Sequence, residues 1–354
     1  MGKVRDRSES GSVIGGMKRR ITIKDVAKAA DVHASTVSRA LDPNSKHPLS
    51  RDVIERVRKT AKRLGFKANA AGYSLKTSRS RLVGVIVPDI TDPVFPPIIR
   101  GLEAGLERHG YAALLANTDG NRQREAELVD IMTARGVDGL ALASVVYHDR
   151  LLKNRALQGL PVVTVARHTD NPKNSCVLHD ENGGFRELLA HLSSFGHRAI
   201  ATIAGPQDLS TGRNRHLAVQ RYAAQMKMKV ASTIFARAFN EQEGDRCMEE
   251  LFAGRRRFTA VVCANDRLAV GAIAALKRHG RRCPQDISVT GFNDMPMVER
   301  LDPPLTTVRV EHYRAGFEAA EMLVRQMQQD TRKRVTQRID LPVELVVRGS
   351  TRRV

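Results

Sequence analysis

The feature that most narrows what this chain can fold into is a change of hydrophobic period near residue 82. From there on, short apolar runs of strand character recur: Leu82–Val87, Tyr111–Asn117, Val137–Ser144, Pro161–Ala166, Ala199–Gly205, Ser232–Ala238, Thr259–Asn265 and Ile287–Phe292. Amphipathic helical stretches such as Pro97–His109, Arg122–Arg135, Gly183–Phe195 and Leu268–His279 separate them, several stopped by a glycine (Gly110, Gly136, Gly196, Gly280). Repeated strand-helix alternation calls for an α/β fold with parallel sheets covered on both faces. The pattern starts at Leu82 and again at Arg198, which predicts two doubly wound lobes. Ligands of such folds sit beyond the carboxyl ends of the strands, so the cleft between lobes is the expected binding site.

Upstream the spacing is helical and the pieces are short. Ile23, Val26, Ala27 and Ala30 share one face behind Thr22, a good N-cap. A second helix fits Ala34–Leu41 with Val37 and Leu41 inward. A third fits Arg51–Leu64, with Ser50 as cap, Leu49 and Ile54 as a hydrophobic staple, and Gly65 as stop. Three such helices predict a small bundle with helix-turn-helix spacing. Its second helix turns His33, Ala34, Ser35, Ser38 and Arg39 outward; Arg39 suits a guanine edge, and Thr22, Thr36 and Ser38 suit phosphate oxygens.

The charge is concentrated at this end. Residues 1–81 hold 20 Lys/Arg against 7 Asp/Glu, a net of +13 out of +20 for all 354 residues, which points to a polyanionic partner reached through the head. Residues 1–20 are basic and rich in Ser and Gly and are expected to be disordered. No signal-type apolar segment or membrane span is expected, and the four scattered cysteines (Cys176, Cys247, Cys263, Cys283) read as reduced residues of a cytoplasmic protein.

The run Thr22-Ile23-Lys24-Asp25-Val26-Ala27, with Val32 and then Ser35-Thr36-Val37-Ser38-Arg39-Ala40-Leu41, resembles the opening signature of the lactose-repressor (LacI/GalR) family. The resemblance continues through Gly65-Phe66 to Leu345-Val346-Val347-Arg348-Gly349-Ser350-Thr351. It implies a transcriptional regulator, chiefly a repressor, that binds a pseudo-palindromic double-stranded operator as a homodimer and answers to a small molecule, a sugar or sugar derivative. It also implies a hinge at Asn69-Ala70-Ala71-Gly72-Tyr73-Ser74-Leu75, with Asn69 and Tyr73 at DNA and Leu75 as a minor-groove wedge. The chain departs from the family where Ala68 replaces Pro, Gly72 replaces Ala and Tyr73 replaces Arg. Gly72 should make the hinge helix harder to order by about 1 kcal/mol. Asp31 stands for a frequent turn Gly, a position that Asp tolerates.

In the sensor, Pro88-Asp89-Ile90-Thr91-Asp92-Pro93-Val94-Phe95 resembles the family's first effector loop, with the first of its two aromatics lost. Read by itself, the segment serves equally as a loop cap followed by a core Phe. The resemblance carries effector roles to Asp89, Phe95, Arg215, Phe239, Asn265 and Asn293, with Arg167 at another strand end; Asp266 reads as a helix N-cap. The helix Pro97–His109 resembles the family's dimer-forming first helix.

No nucleophile elbow, Walker loop, zinc-protease or dinucleotide motif occurs, so no catalytic residue, metal site or cofactor is expected. The alternative reading is a periplasmic-type sugar-binding protein without a transcriptional role, which shares the sensor architecture but neither needs nor explains a basic three-helix head. The expected organisation is a basic extension (1–20), a helix-turn-helix domain (21–67), a hinge and linker (68–81) and a sensor (82–354). Within the sensor, lobe one takes 82–180 and 291–322, and lobe two takes 181–290 and 323–354.

Overall fold

A computed structural model describes residues 21–41, 49–66, 79–154 and 157–354, in two compact units divided after Ser78. The head unit is the expected bundle: α1 (Ile23–Ala29), α2 (Ala34–Leu41) and α3 (Arg51–Arg63). Thr22 accepts from the Asp25 amide while Asp25 answers the Thr22 backbone, a closed capping box, and Ser50 caps α3 through the Val53 amide. Val26, Val37 and Val57, all fully buried, knit the three helices, with Leu49 and Ile54 packed against that core. Asp31 adopts a left-handed φ of 50° between α1 and α2, and Gly65 (φ 66°) ends α3 with Phe66 N–H donating to the Ala61 carbonyl.

In the sensor unit the first lobe holds a six-stranded parallel sheet ordered β11-β5-β4-β3-β1-β2. Its strands are β1 (Leu82–Val87), β2 (Ala112–Asn117), β3 (Gly139–Leu142), β4 (Val162–Val165), β5 (Ser175–His179) and β11 (Arg338–Leu341). Alternation decides the faces. Val83, Val85, Val87, Val163 and Val165 meet α4 (Phe95–Arg108) and α10 (His312–Gln328), whereas Ile86, Leu140 and Leu142 meet α5 (Arg122–Ala134). Two glycines let α4 and α10 touch backbone to backbone: a Cβ on Gly101 would stand 2.0 Å from the Tyr313 carbonyl oxygen, and one on Gly316 2.0 Å from that of Ile98.

The second lobe carries a four-stranded parallel sheet ordered β7-β6-β8-β9: β6 (Ala199–Ala204), β7 (Lys229–Phe235), β8 (Ala260–Cys263) and β9 (Ser288–Thr290). A short antiparallel pair, β10 (Thr307–Val310) with β12 (Val343–Val346), completes it. Ala201, Ile203, Val261 and Cys263 face α8 (Glu241–Ala253) and α9 (Asp266–Arg278); Ile200 and Val262 face α6 (Glu181–Ser194) and α7 (Ser210–Gln225).

Two expectations need correcting. The strand expected at Ser232–Ala238 lies three residues earlier, at Lys229–Phe235. The lobe boundaries after residue 290 are also different. Residues 291–310 stay with the second lobe, where Gly291 N–H donates to the Thr306 carbonyl and Val308 enters the second-lobe core. Residues 312–341 return to the first lobe, because α10 covers its sheet and β11 pairs with β5; β12 then goes back. The chain therefore crosses between lobes three times.

Candidate DNA interface and effector cleft

On the head, His33 and Arg39 are exposed and Ser38 is half-buried along α2. The His33 ring lies 2.8 Å from the Ser35 hydroxyl, and the Ser35 amide donates to the same ring nitrogen, so His33 organises the first turn of α2 as well as facing outward. Thr22 is exposed, with its hydroxyl donating to Asp25. Ala34 departs from the outward set: its methyl packs against the bundle core. Thr36 is half-buried. Asn69, Tyr73 and Leu75, with the substitutions at Ala68 and Gly72, lie outside the described residues.

In the sensor the strand ends of the second lobe converge on Arg215, in the second turn of α7. Its Nε donates to Glu181 Oε1 at 2.6 Å, its Nη1 to the Ala264 carbonyl at 2.8 Å, and its Nη2 reaches Asn293 Oδ1 at 3.5 Å. The guanidinium lies over the Phe292 ring at 4.2 Å and the Phe239 ring at 6.0 Å. Only 7% of the Arg215 side chain and 10% of that of Glu181 are exposed. Burial pushes the Glu181 carboxyl up, and Arg215 pulls it back. The result is a cation held rigid by a matched anion, with Phe239 half-buried beside it.

The first lobe contributes Arg167, on the turn after β4. Burial lowers its guanidinium to about 10, so it remains charged at neutral pH, and it lies over the Phe95 ring at 5.9 Å. Both Arg167 and Asn293 belong to strained turns at strand ends: Ala166 has φ 60° and Asn293 φ 119°. Left-handed backbone at Cβ-bearing residues costs about 1–3 kcal/mol and concentrates at ligand sites. Asp294 locks the second of these turns by pairing with Arg309 at 2.8 Å and Arg348 at 2.7 Å.

Other predicted residues carry local duties. Asp89 accepts from the Thr91 amide and hydroxyl, which holds its carboxyl below the usual range, and Phe95 is a core residue of the first lobe. The expected cap of α9 was Asp266, but Asn265 caps it by accepting from the Leu268 amide. Asp266 is instead fully buried, accepting from the Met295 amide at 2.8 Å and the Thr307 hydroxyl at 2.5 Å, and burial raises its carboxyl to about 6.

Sequence reasoning missed several groups that bind the lobes to each other. His168 N–H donates to the Ser210 hydroxyl at 3.0 Å, and its Nε2 accepts from Asn214 at 3.0 Å. Tyr147 N–H donates to the Asp208 carbonyl at 2.7 Å. Arg267, at the start of α9, pairs with Asp92 of the first lobe at 3.2 Å. Asp92 stands in a segment with a visible signal, and Ser210 and Asn214 lie in the run that carries Arg215; Glu181 has the appearance of an ordinary acidic residue in a first helical turn. Among the described residues no group of three metal-ligating side chains occurs, and no helix is long and apolar enough to cross a membrane.

Comparison with known proteins agrees with this geometry. A family described as bacterial regulatory proteins, lacI family, matches residues 22–69, and a periplasmic binding protein-like domain matches 189–351. The transcriptional repressor CytR of Escherichia coli K12 is 33% identical over 94% of this chain and 96% of its own length. The repressor PurR of Haemophilus influenzae strain PittEE is 30% identical over 94% and 99%. The lac repressor dimer bound to operator and the anti-inducer ONPF superposes with a TM-score of 0.84 at 24% identity, covering 94% of this chain and 100% of that one. The complex of the regulator CelR with cellobiose gives 0.71 at 28% identity, over 94% and 100%.

Proposed function

The chain belongs to the lacI family of bacterial regulatory proteins, a DNA-binding transcriptional regulator with a ligand-binding sensor, and from that premise we propose how its residues divide the work. Two copies bind a two-fold operator, each laying α2 in a major groove with Arg39 on a base edge and His33, Ser35 and Ser38 on neighbouring bases or phosphates. A sugar or sugar derivative held between the lobes sets operator affinity, and the protein works in the cytoplasm, where its DNA is. A homodimer follows from the small footprint of one head, since half-sites read in pairs supply the selectivity that a single helix lacks.

The observation that carries the sensor reading is Arg215. A guanidinium spanning Glu181, the Ala264 carbonyl and Asn293 gathers α6, β8 and β9 at one point while two aromatic rings flank it. Because Glu181 already matches its charge, Arg215 does not call for an anion, and the site suits a ligand that offers hydroxyls to Arg167, Asn293 and Asp89 and a ring face to Phe239. Relatives point the same way: one solved family regulator from Enterococcus faecium holds ribose, and the CelR structure holds cellobiose.

The DNA half is tested with an operator selected in vitro from random duplexes. Arg39→Ala should cost about 1–3 kcal/mol on that operator, and far less on unrelated DNA. Equal losses on both would remove Arg39 from base reading. For the sensor, thermal shifts with ribose, cellobiose and nucleosides should show stabilisation by at least one of them, and no stabilisation across the panel would overturn the sugar assignment.

A further inference from the structure

Two buried histidines stand where all three lobe-crossing segments meet. His179 ends β5 and is in register with Leu341, the last residue of β11; His312 opens α10. Each is the final or first residue of an element before or after the chain changes lobe. Their rings stand edge to face with centroids 5.6 Å apart. His179 is hydrogen-bonded to the Glu311 backbone on the second crossover. Its Nε2 and both ring nitrogens of His312 are buried and have no hydrogen-bond partner among the described residues. Buried polar atoms are as a rule satisfied, so three orphans in one hinge call for an explanation.

The charged group that bears on both rings is Arg215 of α7, whose cation opposes a second positive charge and is balanced by Glu181 of α6. The crossover at Glu311 contributes its backbone rather than its carboxylate. The Glu311 backbone bond favours an imidazolium at His179, but burial and the Arg215 cation outweigh it.

We propose that lobe closure is a proton-releasing step: the closed hinge accepts His179 and His312 only as neutral rings, and protonating either one drives the crossovers apart and opens the cleft. The proposal rests on reading the cleft as the effector site, and adds that pH and effector act on the same closure. Burial and the Arg215 cation press His179 down to about 4 and His312 to about 3. A hydrated histidine in the open hinge titrates near its ordinary value of about 6.5. The sign follows: closure is fully available above about pH 6.5 and is lost as the pH falls from there toward about 4. At about pH 5.5 an open-state histidine is about tenfold more protonated than neutral, so closure weakens by about tenfold when one ring takes up a proton and by more when both do.

Amide hydrogen exchange on the ligand-free full chain tests this. Peptides covering residues 175–182, 309–314 and 338–344 should lose protection between about pH 7.5 and about pH 5.5, after correction for intrinsic exchange rates. The response should shrink in His179→Gln and in His312→Gln and vanish in the double variant, whose protection at about pH 7.5 should match the parent. His148→Gln, at an exposed histidine paired with Asp170, should keep the full response. Equal protection of the parent hinge at both pH values, or full opening of the double variant, would overturn the proposal. Should the Gln variants not fold, His312→Phe and the parent measurement decide it. No effector is added, so a wrong sugar assignment leaves the result unaffected.

Discussion

Removing the Arg215 side chain gives the sharpest test of how the cleft is held together. The Arg215–Glu181 pair is 2.6 Å long and almost wholly buried. Arg215→Met keeps the packing against Phe292 but leaves a carboxylate in the interior without its cation, at a cost of about 3–5 kcal/mol. The double variant Arg215→Met with Glu181→Leu removes the orphaned charge and should recover most of that loss, since an apolar pair of similar volume often matches a buried ion pair. For a unit of this size, about 2–4 °C accompanies each kcal/mol, so the sensor transition of the single variant should fall by roughly 10 °C. The loss should also depend on pH. Without Arg215 the already raised Glu181 carboxyl rises further, so the penalty is full at neutral pH and fades as the pH drops toward about 4 and the unfolded chain also takes up the proton. Calorimetry of both variants at about pH 7.5 and about pH 5 reads all three quantities. A single variant within about 1 kcal/mol of the parent, or a double variant no better than the single, would refute the reasoning.

Two further outcomes are expected in the sensor. Gly101→Val should cost about 3 kcal/mol or more in chemical denaturation, because its side chain meets the Tyr313 backbone, which cannot yield without parting α4 from α10; a loss below about 1 kcal/mol would mean that the helices slide freely. Asp266 is raised to about 6, so it stabilises the fold in its protonated form and that contribution declines as pH rises from about 4 through about 6; Asp266→Asn should flatten the pH dependence of stability over that window, and an unchanged curve would show that another group titrates there.

The head was legible because each signal is local. Thr22, Ser50 and Gly65 act within three or four residues of themselves, and the apolar spacing of α1 to α3 is unbroken. The long strands of both sheets were equally plain. β5, β10, β11 and β12 were not, since runs such as Arg338–Leu341 carry two charges and hold their place through pairing with a strand more than 150 residues away. The lobe boundaries after residue 290 are hidden in the sequence for the same reason: membership is decided by pairing partners, which composition does not reveal. In the cleft, Arg215 and Asn293 are legible through resemblance to a family, whereas His168 and Arg267 act across lobes, and Glu181 acts on a helix 34 residues away, so none of the three leaves a mark in local spacing. Asp89 and Phe95 show the reverse, two residues whose local pattern already described the loop cap and core contact they make.

The three crossings also constrain the order in which this protein can be completed as it leaves the ribosome. β5 emerges after about half of the chain, yet its outer neighbour β11 is made only at residues 338–341. Until then the first sheet has an unfilled edge, and α10, which covers one of its faces, is also missing. Neither lobe is a contiguous piece that can finish early and wait for the other. The nascent sensor must keep its first sheet open through the synthesis of almost all of the second, and both are completed only when residues 338–346 are made. A stalled or truncated product would expose that edge to other chains.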